Sequence, residues 1–186
     1  GSGYYTPGNQ YYVFTATFNA SNVTWGEYKY RIMSKWGYDN RAETVPPYEE
    51  DGIVIIFDIT APQSKVTIPG HTVTYNSLSL ITGTSSDNLS GVDKVQICIA
   101  DISQPTTYYW RYWTTSGTWI TSEYWTDAAG VAPWNYDKLT GAFTDGKVYN
   151  VRSRAVDKAG VWEAMPPIIL YTDSALTNSH TFRYDI

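Results

Sequence analysis

GKVYNVRSRAVDKAGVWEAMPP, residues 146–167, combines a long alternating run, a turn and a double proline. Tyr149, Val151, Ser153 and Ala155 share one face of an extended strand, and Asn150, Arg152, Arg154 and Val156 share the other. Asp157-Lys158-Ala159-Gly160 then reverses the chain, since Asp and Gly are at home in turns. Small residues at Ser153 and Ala155 leave room for an aromatic ring, so Trp134 or Trp162 is expected to pack inward.

The same grammar recurs along the chain. Short alternating runs fall at 11–18, 27–35, 52–59, 64–69, 77–84, 93–100 and 180–186, separated by turns such as SSDNLSG and LTGAFTDG. Gly83 is read as the end of the SLSLIT strand, and Ser90-Gly91 as the turn before the next. No stretch has convincing helical periodicity. Only 17% of residues are charged while Tyr numbers 17 and Trp 8, a composition that suits half-buried pleated strands. The expected fold class is all-β, an antiparallel β-sandwich.

Residues 26–47, GEYKYRIMSKWGYDNRAETVPP, repeat the opening segment: a Gly, a Tyr-rich alternating strand, a turn, then Glu-x-x-Pro-Pro at Glu43–Pro47 and again at Glu163–Pro167. The phrase FDITAP (57–62) is echoed by the terminal FRYDI (182–186), a domain-sized distance later. Residues 60–186 therefore read as one complete repeat. Residues 1–59 read as the C-terminal half of a preceding one, incomplete or completed by another chain, because their three or so strands are too few for a closed sandwich.

Three segments carry a family resemblance: the junction Asp58-Ile59-Thr60-Ala61-Pro62, LITGTSSDNLSGVDKVQICI (80–99) and WNYDKLTGAFTDGKVYNVRSRAVDKAG (134–160). They resemble the bacterial immunoglobulin-like domains strung in tandem along large cell-surface proteins and adhesins. Val161 after Gly160, and the long aromatic stretch 101–133, depart from that pattern. The resemblance implies an immunoglobulin-like sandwich in tandem repeats, a secreted or cell-surface setting, and neighbouring repeats in the same or adjacent chains as partners.

The chemistry the residues offer is sparse. A net charge of −5 without a Lys/Arg cluster argues against nucleic acid, and no apolar run is long enough for a membrane-spanning helix. Neither a phosphate loop, a metal-binding His pair nor a serine elbow occurs, so no enzymatic role is expected. Cys98 reads as a strand thiol, Glu49-Glu50-Asp51 as a solvated turn, and the sequons at Asn19, Asn22 and Asn88 as no more than chance supplies. Lys65 and Asn178 could form an isopeptide bond only beside a well-placed acid, which the sequence does not reveal.

Two ligand readings remain. Asp58, Asp87 and Asp157, with Asp93 and Asn88 nearby, fall in elements that gather at one end of an immunoglobulin-like sandwich. Converging carboxylates repel unless neutralised, and Ca²⁺ accepts several oxygens with tolerant geometry. The plainer alternative is that each Asp accepts backbone N–H bonds in its own turn. Separately, YYWRYWTTSGTWITSEYWTDAAGVAPW (108–134) offers Trp110, Tyr112, Trp119 and Trp125 as rings that could stack on a cell-surface glycan, or else serve as core and edge cover. The expected function is a structural stalk module. The rivals are a carbohydrate-binding module and a filament subunit completed by strand exchange.

Overall fold

The computed structural model describes residues 58–103 and 110–186; the strands expected at 11–18 and 27–35, most of 52–59, and the half-repeat assigned to residues 1–59 lie outside the described residues apart from Asp58 and Ile59. The strands are β1 (Gln63–Ile68), β2 (Thr74–Tyr75), β3 (Ile81–Ser86), β4 (Val92–Asp101), β5 (Arg111–Trp113), β6 (Trp119–Ile120), β7 (Thr126–Asp127), β8 (Ala129–Gly130), β9 (Trp134–Tyr136), β10 (Lys147–Asp157) and β11 (Ser179–Tyr184). No helix occurs among the described residues. One sheet has the order β1-β3-β9-β8 and the other β2-β11-β10-β4-β5-β6, with β7 also paired to β4. Every pairing is antiparallel except β2 with β11.

The two sheets close over one core, as the alternation in β10 requires. Val66, Ile81, Trp134 and Tyr136 enter from the first sheet; Val95, Ile97, Ile99, Tyr149, Val151, Ala155 and Phe182 enter from the second. Trp134 is the largest side chain fully out of water among the described residues. Its indole N–H donates to the Thr84 carbonyl at 3.0 Å, satisfying the one polar atom it buries.

Gly83 makes that placement possible. It lies opposite Trp134 in the β3–β9 ladder, and a Cβ on it would sit 2.0 Å from the Lys65 carbonyl oxygen and 2.1 Å from Trp134 Cζ2. Gly83 is thus mid-strand rather than the strand's end, and β3 begins at Ile81 instead of 77. The Ser-Leu alternation of 77–80 misleads because it has the opposite parity: Ile81, Gly83 and Ser85 are buried, whereas Leu80 is exposed. Trp162 also departs from expectation. It stays on the outer side, 41% exposed, with the Arg154 guanidinium 4.8 Å from its ring centre.

The outer face of the second sheet is covered by the segment that follows β10. Arg152 Nη1 donates to the Pro166 carbonyl at 3.1 Å, Ser179 Oγ to the Pro167 carbonyl at 2.9 Å, and Thr181 Oγ1 to the Ile169 carbonyl. Both faces of β10 are therefore buried along much of its length. Glu163 ties the sheets together at the edge of β1. Its Oε2 accepts the Ser64 N–H of β1 and the Ala155 N–H of β10, both at 3.0 Å, and its Oε1 accepts from Asn178.

Gly83→Ala should lower stability by about 3 kcal/mol, because the obstructing atoms are a backbone carbonyl and a buried indole that cannot swing aside. Gly141→Ala, at φ 76° with nothing within 4 Å of the new Cβ, should cost only about 1 kcal/mol. Urea unfolding of the two variants would check this. Equal midpoints would mean that Trp134 is not seated over Gly83.

Candidate metal centre

The fold brings Asp58, Asp87 and Asp157 to one end of the sandwich. Asp58 precedes β1, Asp87 follows β3, and Asp157 is the last residue of β10. One ligand atom from each lies within 4.8 Å of the other two. Asp157 is 2% exposed and Asp58 6%, both shielded from solvent, while Asp87 is half-buried.

Backbone amides aim each carboxylate. Asp58 Oδ1 accepts the Thr60 N–H and its Oδ2 the Ser90 N–H, both at 2.9 Å. Asp87 Oδ2 accepts from Leu89 at 3.0 Å and from Gly91 at 2.7 Å, while Asp157 Oδ1 accepts from Val161 at 2.8 Å. Gly91 and Gly160 take φ of 82° and 89°, a left-handed conformation that glycine adopts without a Cβ penalty, and so let the two turns close on their carboxylates. A further bond, Lys158 N–H to the Gly91 carbonyl at 2.9 Å, joins the turns to each other.

The second oxygens of two of these groups have no partner. Asp87 Oδ1, Asp157 Oδ2 and the Ser90 hydroxyl are all buried without a hydrogen bond. Buried polar atoms are otherwise nearly always satisfied, and an unpaired charge is the costliest exception. Like charges about 4–5 Å apart repel by roughly 3–4 kcal/mol per pair at an effective dielectric constant of about 20. Burial pushes the Asp58 carboxyl up, but the hydrogen bonds it accepts from the Ser90 and Thr60 backbone amides act the other way, and it is held below its usual 3.8. The turn bonds expected of each Asp are present, and they leave a set of inward oxygens unanswered.

Of the two neighbours noted in the sequence, Asp93 is exposed and outside the carboxylate cluster, and Asn88 is exposed. Ser90 is the residue sequence reasoning missed; its signal was its place in the Asp87–Gly91 turn. The aromatic candidates do not share a face. Trp119 stacks on Tyr149 at 5.7 Å and packs on the core, whereas Trp125 lies outside the second sheet with the Arg152 and Arg154 guanidinium groups 5.1 and 4.4 Å from its centre. Tyr112 and Trp110 are half-buried.

Lys65 is exposed on β1, opposite in parity to the buried Ser64 and Val66, while Asn178 is bonded to Glu163 at 3.0 Å. That carboxylate is already engaged by two amides. Burial pushes the Cys98 thiol up to about 11, with the Arg152 charge opposing, so it stays a protonated thiol at neutral pH. A comparison with models of known protein families found no match, and neither did one with curated protein sequences.

Asp157→Asn keeps the Oδ1 acceptor and removes one of the clustered charges. In chelator it should stabilise the protein by about 1–2 kcal/mol, by relief of repulsion. In millimolar Ca²⁺ it should destabilise it relative to wild type. Thermal melts in the two buffers give the sign directly.

Proposed function

We propose that this chain is a non-enzymatic structural module of immunoglobulin-like type from a secreted or cell-surface protein, with Ca²⁺ bound by Asp58, Asp87 and Asp157. The strand order supports the immunoglobulin-like reading. In that fold, one sheet runs A-B-E-D and the other G-F-C, extended by C′ and C″ in the variable type. The orders β1-β3-β9-β8 and β11-β10-β4-β5-β6 match these, with β2 as a short first-strand continuation beside β11. The sequence repeat supports a place among tandem domains.

The observation that carries the metal reading is the set of unpartnered, buried oxygens on Asp87, Asp157 and Ser90, facing a cluster that includes Asp58. Ca²⁺ takes oxygens at about 2.3–2.6 Å, so opposite ligands can stand nearly 5 Å apart, whereas Mg²⁺ demands an octahedron with opposite ligands about 4 Å apart. Asp58 belongs to the incoming chain and the other two to loops of this unit. A cation there would clamp the entering segment to the sandwich, and the same ion would stiffen a junction between repeats. Three carboxylates and a hydroxyl leave part of the usual shell of six to eight oxygens for water.

Ca²⁺ at about 100 times its dissociation constant should stabilise the whole chain by about 2.7 kcal/mol over chelator, a rise of several degrees in Tm. Asp87→Ala should abolish the difference. Identical wild-type melts in calcium and chelator would overturn the metal reading and leave the aspartates as turn formers.

A further inference from the structure

At a distance from the aspartate end, the chain leaves β1 in one sheet and joins β11 of the other through residues 69–75. This strap is held mainly by single backbone bonds: Thr72 N–H to the Thr181 carbonyl at 2.7 Å, Arg183 N–H to the Val73 carbonyl at 3.0 Å, and Asp185 N–H to the Tyr75 carbonyl at 2.9 Å. His71 adds two more. Its Nδ1 lies 3.0 Å from the Thr181 backbone nitrogen, and its Nε2 lies 2.8 Å from the Asp173 carbonyl oxygen.

These partners decide the proton positions. An amide nitrogen can only donate, so Nδ1 must be bare; a carbonyl can only accept, so Nε2 carries the hydrogen. The imidazolium would place a second hydrogen on Nδ1, pointing at the Thr181 N–H. Folded contacts here therefore require the neutral ring. We propose that His71 is an acid-released latch: a proton taken from solvent at Nδ1 ejects the ring from Thr181 and frees residues 69–75 from the edge of β11.

Several features converge on this strap. Thr72 has φ 60°, a left-handed conformation that a β-branched residue keeps only when its surroundings hold it, so release also relieves backbone strain. His180 lies 6.1 Å from His71 between ring centres and donates from Nδ1 to the Pro69 carbonyl at 2.8 Å. Burial pulls the His180 pKa below 6.5, with the charges of His71 and Lys65 acting the same way. Its contribution is fully present above 6.5 and is lost as pH falls through the lowered value, but the Nδ1–H bond to Pro69 survives protonation of the other nitrogen, so His180 does not itself release the strap.

The surrounding charges do little to rescue an imidazolium. The Asp173 carboxylate is engaged by the Leu170 N–H at 2.7 Å. Tyr171 donates its hydroxyl to the Thr72 carbonyl, with Arg183 over its ring, and the Tyr75 hydroxyl accepts the Gly70 N–H. Lys65 carries the same sign as the new charge. Release bares the N–H and C=O groups of β11, an open sheet edge of the kind that pairs with other strands.

Backbone hydrogen exchange on the whole chain, corrected for intrinsic rates, tests the latch at pH 7.5 and pH 5. The Thr181, Thr72 and Arg183 amides should lose about tenfold or more in protection relative to the Val151 amide, the cost of a bond or more per latch. In His71→Gln that loss should vanish, and in His180→Gln it should persist. Unchanged wild-type protection between the two pH values overturns the proposal, as does a loss that survives in His71→Gln or disappears in His180→Gln. If His71→Gln does not fold, ¹⁵N spectra of the wild-type ring decide: a hydrogen on Nδ1 rather than Nε2 at pH 7.5 also overturns it.

Discussion

The contact between the Trp134 indole and the bare backbone of Gly83 sets the registers around it. Gly83 faces Trp134 in β9 and Val66 in β1, so one close approach fixes both ladders of the first sheet. With that parity, Ile81 and Ser85 turn inward and β3 ends at Ser86, which delivers Asp87 to the end of the sandwich. On β1 the same register turns Ser64 and Val66 inward and Lys65 outward. A slip of one residue would reverse every one of these assignments.

Polar ties finish what apolar packing begins. Ser64 and Ser153 share a buried hydroxyl bond at 2.8 Å between the sheets, beside the Glu163 carboxylate. A charged acceptor makes each of its amide bonds stronger than a neutral one would. Glu163 also occupies the Ser64 N–H, and the Thr177 carbonyl accepts the Val66 N–H at 2.8 Å, so the open side of β1 offers little to a foreign strand. Against that background of satisfied groups, the unanswered oxygens of Asp87 and Asp157 are a local exception. Asn150 Oδ1, Arg152 Nε and the Tyr136 hydroxyl are unpartnered too, but they are scattered through the interior, where single buried waters commonly serve.

Among the described residues, the aromatic side chains are spent largely on the interior. Trp113, Trp119, Tyr149, Phe182 and Tyr75 form a continuous series of ring contacts with centres 5.2 to 5.8 Å apart, and Phe143 joins it from the side. Offset and edge-on ring pairs of this kind contribute beyond the area they bury. The series draws on β5, β6, β10, β11 and β2, so it holds the second sheet together across its width. On the other side of that sheet, Trp125 and Trp162 sandwich the Arg154 guanidinium. Those rings fasten the 121–127 and 161–165 segments to the sheet.

By itself the sequence determined the strands whose alternation is long and regular. β1, β4, β10 and β11 lie within a residue or two of where period-two burial places them, and the inward face of β10 is Tyr149, Val151, Ser153 and Ala155 as read. It also singled out Asp58, Asp87 and Asp157, because turn signals mark their loops and a sandwich gathers such loops at its ends. It could not reveal that Gly83 sits under a tryptophan or that Trp162 stays outside. Nor could it show that Glu163, visible only as part of a repeated Glu-x-x-Pro-Pro, bridges two sheets, or that the His71 ring meets an amide 110 residues away. Local periodicity reports which side of a strand is buried. Which distant backbone atom a side chain meets is set by register and by the crossing of strands between sheets, and those exist only once the chain has folded.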